Sequence, residues 1–106
     1  MNDKLLSLLG IARRAGRLSL GYDSAEDAMK NGKSRLLILA GNLSERTLRN
    51  ITQTARQTDT RTIVLDITME RLGAAVGKQV GIISVNDKGF AEKMKTLCNE
   101  RQEEDI

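Results

Sequence analysis

A chain of 106 residues, 40% apolar and 29% charged, buries about two thirds of its unfolded surface around one core. Two domains, a disordered chain and a fold dependent on metal or disulfide are excluded. The net charge of +3 joins a basic body to an acidic end: residues 1–98 hold 16 basic and 10 acidic side chains, residues 99–106 one and four.

In chain order, Leu5, Leu8, Leu9 and Ala12 recur at three- and four-residue spacing, which predicts an amphipathic helix over 3–15. Asn2 or Asp3 would cap it and Gly16 would end it. Leu18-Ser19-Leu20 is a short strand, broken by Gly21. Asp23-Ser24-Ala25-Glu26 matches the cap-x-x-Glu pattern that opens a second helix, with Ala25, Ala28 and Met29 inward and a stop at Asn31-Gly32. Leu36-Leu37-Ile38-Leu39 is the continuous apolar run of a central strand covered on both faces. Asn42-Leu43-Ser44-Glu45 repeats the capping pattern before a helix that turns Leu48, Ile51 and Ala55 inward and Arg46, Arg49 and Arg56 elsewhere.

Thr62 to Leu65 is a β-branched strand, Thr68 to Val76 a short helix and Val80 to Val85 the last strand. A final helix from about Asp87 gathers Phe90, Met94, Leu97 and Cys98 before fraying into the acidic tail. Alternation of helix and strand with short connections gives the fold class α/β, a layered α/β/α sandwich. One domain over 1–98 with a tail over 99–106 is expected, since no proline, repeat or low-complexity linker interrupts the pattern.

Much chemistry is missing. Without histidine and with one cysteine, neither a Ser-His-Asp or Cys-His nucleophile nor a usual zinc site can be assembled. The run Gly73-Ala-Ala-Val-Gly-Lys-Gln79 is one residue short of a P-loop between its glycines and has Gln79 where a magnesium-binding hydroxyl should stand. No Gly-x-Gly-x-x-Gly follows a strand. An enzyme, a metal and a cofactor are therefore not expected. No apolar run approaches the roughly 20 residues that cross a bilayer, and no cleavage-site pattern follows the start. Together with the lone cysteine, this predicts a cytoplasmic protein without a membrane partner.

What remains is electrostatic. A basic body favours polyanions, although the same excess also serves solubility. The corner at Gly21, where a strand hands over to a helix, points unpaired backbone N–H groups outward at the positive end of a helix dipole, a setting that suits phosphate.

The segments Ala15-Gly-Arg-Leu-Ser-Leu-Gly-Tyr22 and Gly32-Lys-Ser-Arg-Leu-Leu-Ile-Leu-Ala40, with Glu70-Arg-Leu-Gly-Ala-Ala-Val-Gly-Lys78, resemble the kink-turn-binding ribosomal L7Ae family, in particular its small bacterial YlxQ-type branch. The likeness runs from about Leu5 to Met94. It implies a three-layer α/β/α sandwich around a mixed four-stranded sheet, and a non-catalytic protein that binds kink-turn-like or other structured, ribosomal RNA at one sheet edge, with no DNA expected. By that resemblance the RNA contacts are Gly21, Tyr22, Asp23 and Ser24, preceded by Arg17. A second contact is Gly41, Asn42 and Arg46, and a third, packing on an extruded nucleotide, is Gly77, Lys78, Gln79 and Val80. Recognition of kinked RNA by shape and unstacked bases needs few aromatic residues, and this chain has only Tyr22 and Phe90.

Three residues depart from the family pattern. Many kink-turn binders carry Asn or Lys, then Glu or Gln, then Lys, where this chain has Asp23, Ser24 and Asp27. An aspartate accepts but does not donate, serine lacks a glutamate's reach, and Asp27 sets an anion near phosphate. These departures support an alternative with protein partners: an interaction module of the same fold that has lost kink-turn binding.

Overall fold

Leu36, Leu37, Ile38 and Leu39 are fully buried, because the strand they form lies inside the sheet with helices on both sides. The computed structural model describes residues 3–104, with side chains described for residues 3–98. The elements are α1 (Asp3–Arg14), β1 (Leu18–Leu20), α2 (Tyr22–Lys30), β2 (Leu36–Leu39), α3 (Glu45–Gln57), β3 (Thr62–Val64), α4 (Met69–Val76), β4 (Ile82–Val85) and α5 (Lys88–Glu104). Asn2, one of the two caps expected for α1, lies outside the described residues.

The sheet is mixed and four-stranded, in the order β1-β4-β2-β3. β4 runs antiparallel to both β1 and β2, with Ile83 facing Leu20 on one side and Ile38 on the other. β3 adds in parallel to the far side of β2. Side chains alternate across this sheet as the period of two requires. Leu36, Ile38, Ile83 and Val85 face a core closed by Leu5 and Leu9 of α1, Leu72 and Val76 of α4, and Met94 of α5. Leu37, Leu39 and Ile82 face a second core closed by Ala25 and Met29 of α2 and Ile51 and Ala55 of α3. The architecture is thus the α/β/α sandwich, with α1, α4 and α5 on one face and α2 and α3 on the other.

Two expected helix starts move. In α2 the cap is Gly21, not Asp23: its carbonyl already accepts from Ala25 N–H at 3.0 Å, so Tyr22 is the first helical residue and no side chain caps it. Asp23 and Glu26 therefore form no capping box, and Glu26 accepts from Thr54 Oγ1 at 3.2 Å and pairs with Lys30 at 3.7 Å instead. In α3 the cap is Ser44, whose Oγ accepts from Thr47 N–H at 3.2 Å. The last helix, expected to fray near residue 99, carries its helical backbone on to Glu104; the side chains of the acidic tail lie outside the described residues.

Candidate functional site

β1 runs toward Gly21, β2 toward Gly41, and β4 away from Gly81, so one end of the sheet collects three connections. They enclose an open groove of about 460 Å³. Gly21 and Tyr22 come from the β1–α2 turn, Leu43, Ser44 and Thr47 from the start of α3, and Lys78, Gln79, Val80 and Gly81 from the approach to β4, with Met69 and Ile82 completing the wall.

The turn is set by backbone chemistry. Gly21 has φ 94° and ψ 168°, a region essentially closed to residues with a Cβ. It is pinned from both sides, its N–H donating to Ile82 O at 2.9 Å and its carbonyl accepting from Ala25 N–H. Because glycine offers no capping oxygen, the first-turn amides of Tyr22, Asp23 and Ser24 have neither an intrahelical partner nor a side-chain cap. The starts of α3, α4 and α5 differ: Ser44, Thr68 and Asp87 accept from Thr47, Arg71 and Phe90 N–H respectively.

Tyr22 is half-buried and leans on the core between α2, α3 and the sheet. Burial first, then the carboxylates of Glu26 and Asp23, push its phenol above the usual value of 10.0, so the group stays a neutral donor and acceptor at the groove wall. Gly81 controls the floor. A Cβ there would stand 2.6 Å from Leu43 Cδ2 and 2.7 Å from Met69 Cγ, so any larger residue would push those two flexible side chains off the strand. Lys78 and Gln79 are exposed and stand between this groove and a smaller cleft of about 320 Å³ along α4, lined also by Glu70 and Gly77.

The structure brings together some of the residues singled out from the sequence and disperses others. Gly21, Tyr22, Lys78, Gln79 and Val80 meet at the groove. Val80, however, is 6% exposed and belongs to the larger core, so it supports the loop rather than offering a free surface. Asp23 and Ser24 are exposed in the first turn of α2 beside the groove.

Gly77 follows α4, its N–H donating to Gly73 O at 2.8 Å, and lines the smaller cleft but not the groove. Gly41 and Asn42 are taken up by the fold. Gly41 N–H donates to Ile67 O at 2.8 Å, and Asn42 Oδ1 accepts from Met69 N–H at 2.9 Å while its Nδ2 reaches Glu70 Oε1 at 3.5 Å. Asn42 thus tethers the first amide of α4, which Thr68 caps, and takes no part in capping α3. Arg46 is exposed on α3, just outside the groove.

Arg17 is displaced altogether. It lies at the other end of β1, about 13 Å from Gly21 by strand rise, with its Nε 3.9 Å from Asp87 Oδ2. Leu43, Ser44, Thr47, Met69 and Gly81 escaped the sequence reading. The signal for Gly81 was a glycine directly before a buried strand, which often marks close approach of another chain segment. Among the described residues no helix is long and apolar enough to cross a membrane, and no group of acidic and cysteine side chains is placed to hold a metal ion.

Sheet order, layering and a groove built from three loops at one sheet end define a small α/β/α domain with uncapped helix-start amides and a lysine at that groove. The chain belongs to the ribosomal protein L7Ae/L30e/S12e/Gadd45 family, whose profile matches residues 3–100. It is 30% identical over 92 residues to the large ribosomal subunit protein eL30 of Saccharomyces cerevisiae, covering 85% of this chain and 88% of that one. Over 95 residues it is 28% identical to the RNA-binding protein YlxQ of Enterococcus faecium, covering 90% and 91%. A solved structure from Bacillus halodurans C matches with a TM-score of 0.83 at 32% identity, over 89% of this chain and 95% of that one.

Proposed function

We propose that this protein is a non-catalytic binder of structured RNA, and that it receives a kinked or bulged helix at the groove between Gly21, Ser44 and Lys78. The observation that carries this reading is the uncapped start of α2 meeting Lys78 across one groove, in a member of a family that includes a relative named as an RNA-binding protein. Amides at a helix start hold phosphate oxygens, a lysine adds a point charge, and neighbouring polar side chains read exposed base edges. The apolar floor of Leu43, Met69 and Ile82 offers a dry platform for a nucleotide that has left its stack.

Charge reversal tests the proposal. Lys78→Glu and Gly21→Glu should each weaken binding of a bulged RNA hairpin by tenfold or more in fluorescence anisotropy, with wild-type affinity falling as salt rises. Unchanged affinity in both variants would refute the reading. A second reading, a protein-interaction module, draws on exposed Asp23 and Asp27 along α2. Partners that stay bound to the protein after nuclease treatment of a cell extract would favour it.

A further inference from the structure

The helix that carries the groove's Ser44 and Thr47 bears a charge pattern that the groove does not use. With 3.6 residues per turn, Arg46, Arg49, Asn50, Gln53, Arg56 and Gln57 fall within about a third of the circumference of α3. All six are exposed. The opposite side holds buried Ile51 and Ala55, and Thr54 on the flank bonds Glu26 of α2. The outward row therefore consists of guanidinium and amide groups. Glu45 and Asp59 stand at its two ends, and no carboxylate interrupts it.

Among the described residues, the outward faces of α2, α4 and α5 each mix in an acid past the first residue, at Asp27, Glu70 and Glu92; α1, whose acid Asp3 stands at its start as Glu45 does in α3, sets Lys4, Arg13 and Arg14 beside exposed Ile11. Arg17, Lys30, Arg71 and Lys95 are paired with Asp87, Glu26, Asp3 and Glu92, whereas Arg46, Arg49 and Arg56 form no ion pair among the described residues and stand together on one exposed face. A face meant only for solubility gains from interspersed signs; a row of one sign suits a polyanion.

From this juxtaposition we infer that the outer face of α3 is a second RNA surface, which lies along the sugar–phosphate backbone of the duplex stem flanking the nucleotide held in the groove. The inference rests on the RNA-binding reading above. The row begins at the lip of the groove, where Arg46 lies between Ser44 and Thr47, and extends about 15 Å to Arg56 at ~1.5 Å per residue. Three arginines bind phosphate oxygens in bidentate fashion. The amides of Asn50, Gln53 and Gln57 donate to and accept from the 2′-hydroxyls that an A-form helix displays in its shallow groove. Such contacts follow the shape of the stem and not its sequence.

The test uses the full chain and two RNA probes: a bulged hairpin with stems on both sides of the bulge, and the same RNA with one stem trimmed back. The triple variant Arg46→Gln/Arg49→Gln/Arg56→Gln should bind the long probe more weakly. It should also flatten the plot of log affinity against log salt by about one unit for each arginine, with an unchanged melting temperature. Trimming the stem that α3 engages should abolish the difference between variant and wild type, while Lys78→Glu weakens both probes. A triple variant that keeps the wild-type salt slope on the long probe overturns the inference and leaves the groove standing. Loss of affinity in the triple variant but in neither Lys78→Glu nor Gly21→Glu keeps α3 as the RNA surface and refutes the groove. Wild-type protein that binds neither probe defeats both.

Discussion

Gly21→Ala isolates the backbone device on which the groove depends. At φ 94° and ψ 168° an alanine is strained by about 1–3 kcal/mol, partly offset by the ~0.4–1 kcal/mol that alanine removes from unfolded-state entropy. The added Cβ meets nothing within 4 Å, so the whole penalty is conformational and no neighbour has to move.

Nor does the turn rotate away freely. Its N–H is held by Ile82 O at 2.9 Å and its carbonyl by Ala25 N–H at 3.0 Å, and release of either bond costs roughly 0.5–1.5 kcal/mol. Both routes converge on a net loss of about 1–2 kcal/mol. At about 4–8 °C per kcal/mol for a domain of this size, that loss is plain in a thermal melt followed by circular dichroism. If the backbone relaxes, Tyr22 and the first-turn amides shift, and affinity for a bulged RNA falls by about tenfold, which is ~1.4 kcal/mol. A variant that melts within experimental error of wild type and binds with the same affinity would refute both the strain and its functional use.

Gly81→Ala acts on the groove floor: the new methyl pushes aside the ends of the flexible Leu43 and Met69 side chains, so a urea titration should lose at most about 1 kcal/mol while affinity for a bulged RNA falls; unchanged affinity would show the floor to be idle. Asn42→Ala removes the tether to the first amide of α4, which Thr68 still caps, and should cost about 0.5–1.5 kcal/mol in the same assay; an unchanged midpoint would show the tether to be idle. Tyr22 is the single tyrosine and tryptophan is absent, so absorbance at the tyrosinate band reports this group alone. Its midpoint should lie above 10.0, because the fold favours the neutral phenol. The associated stability is complete below the unfolded-state value and is lost as pH rises through the folded one, and a midpoint at or below 10.0 would contradict the half-buried placement.

Periodicity was a good guide wherever burial decides structure. The apolar run Leu36–Leu39 and the helical spacing of Leu5, Leu9 and Ala12 identify their own elements, because a strand covered on both faces and an amphipathic helix have few alternatives. Capping was read less well. Asp23 and Asn42 are both good cap residues by type, yet Gly21 takes the first cap through its unusual backbone angles, and Asn42 is used by a helix 27 residues further on. Local sequence carries no trace of such a distant partner. The same limit explains Arg17, whose neighbour Asp87 arrives only with β4, and Val80, whose loop position concealed its burial. Gly21, Tyr22, Lys78 and Gln79, which line one groove, stood out because turn residues and polar loop side chains are visible without their surroundings.

β4 enters the sheet between two strands already made, β1 and β2. Until residues 82–85 have left the ribosome, β1 has no strand beside it, and the amide of Gly21 lacks the Ile82 carbonyl that anchors it. The groove at this corner therefore comes into being in a single late step, when the final strand slots home. A nascent chain that has emerged only through α4 has four of the five helices but not this groove, so strand order alone fixes when the groove forms.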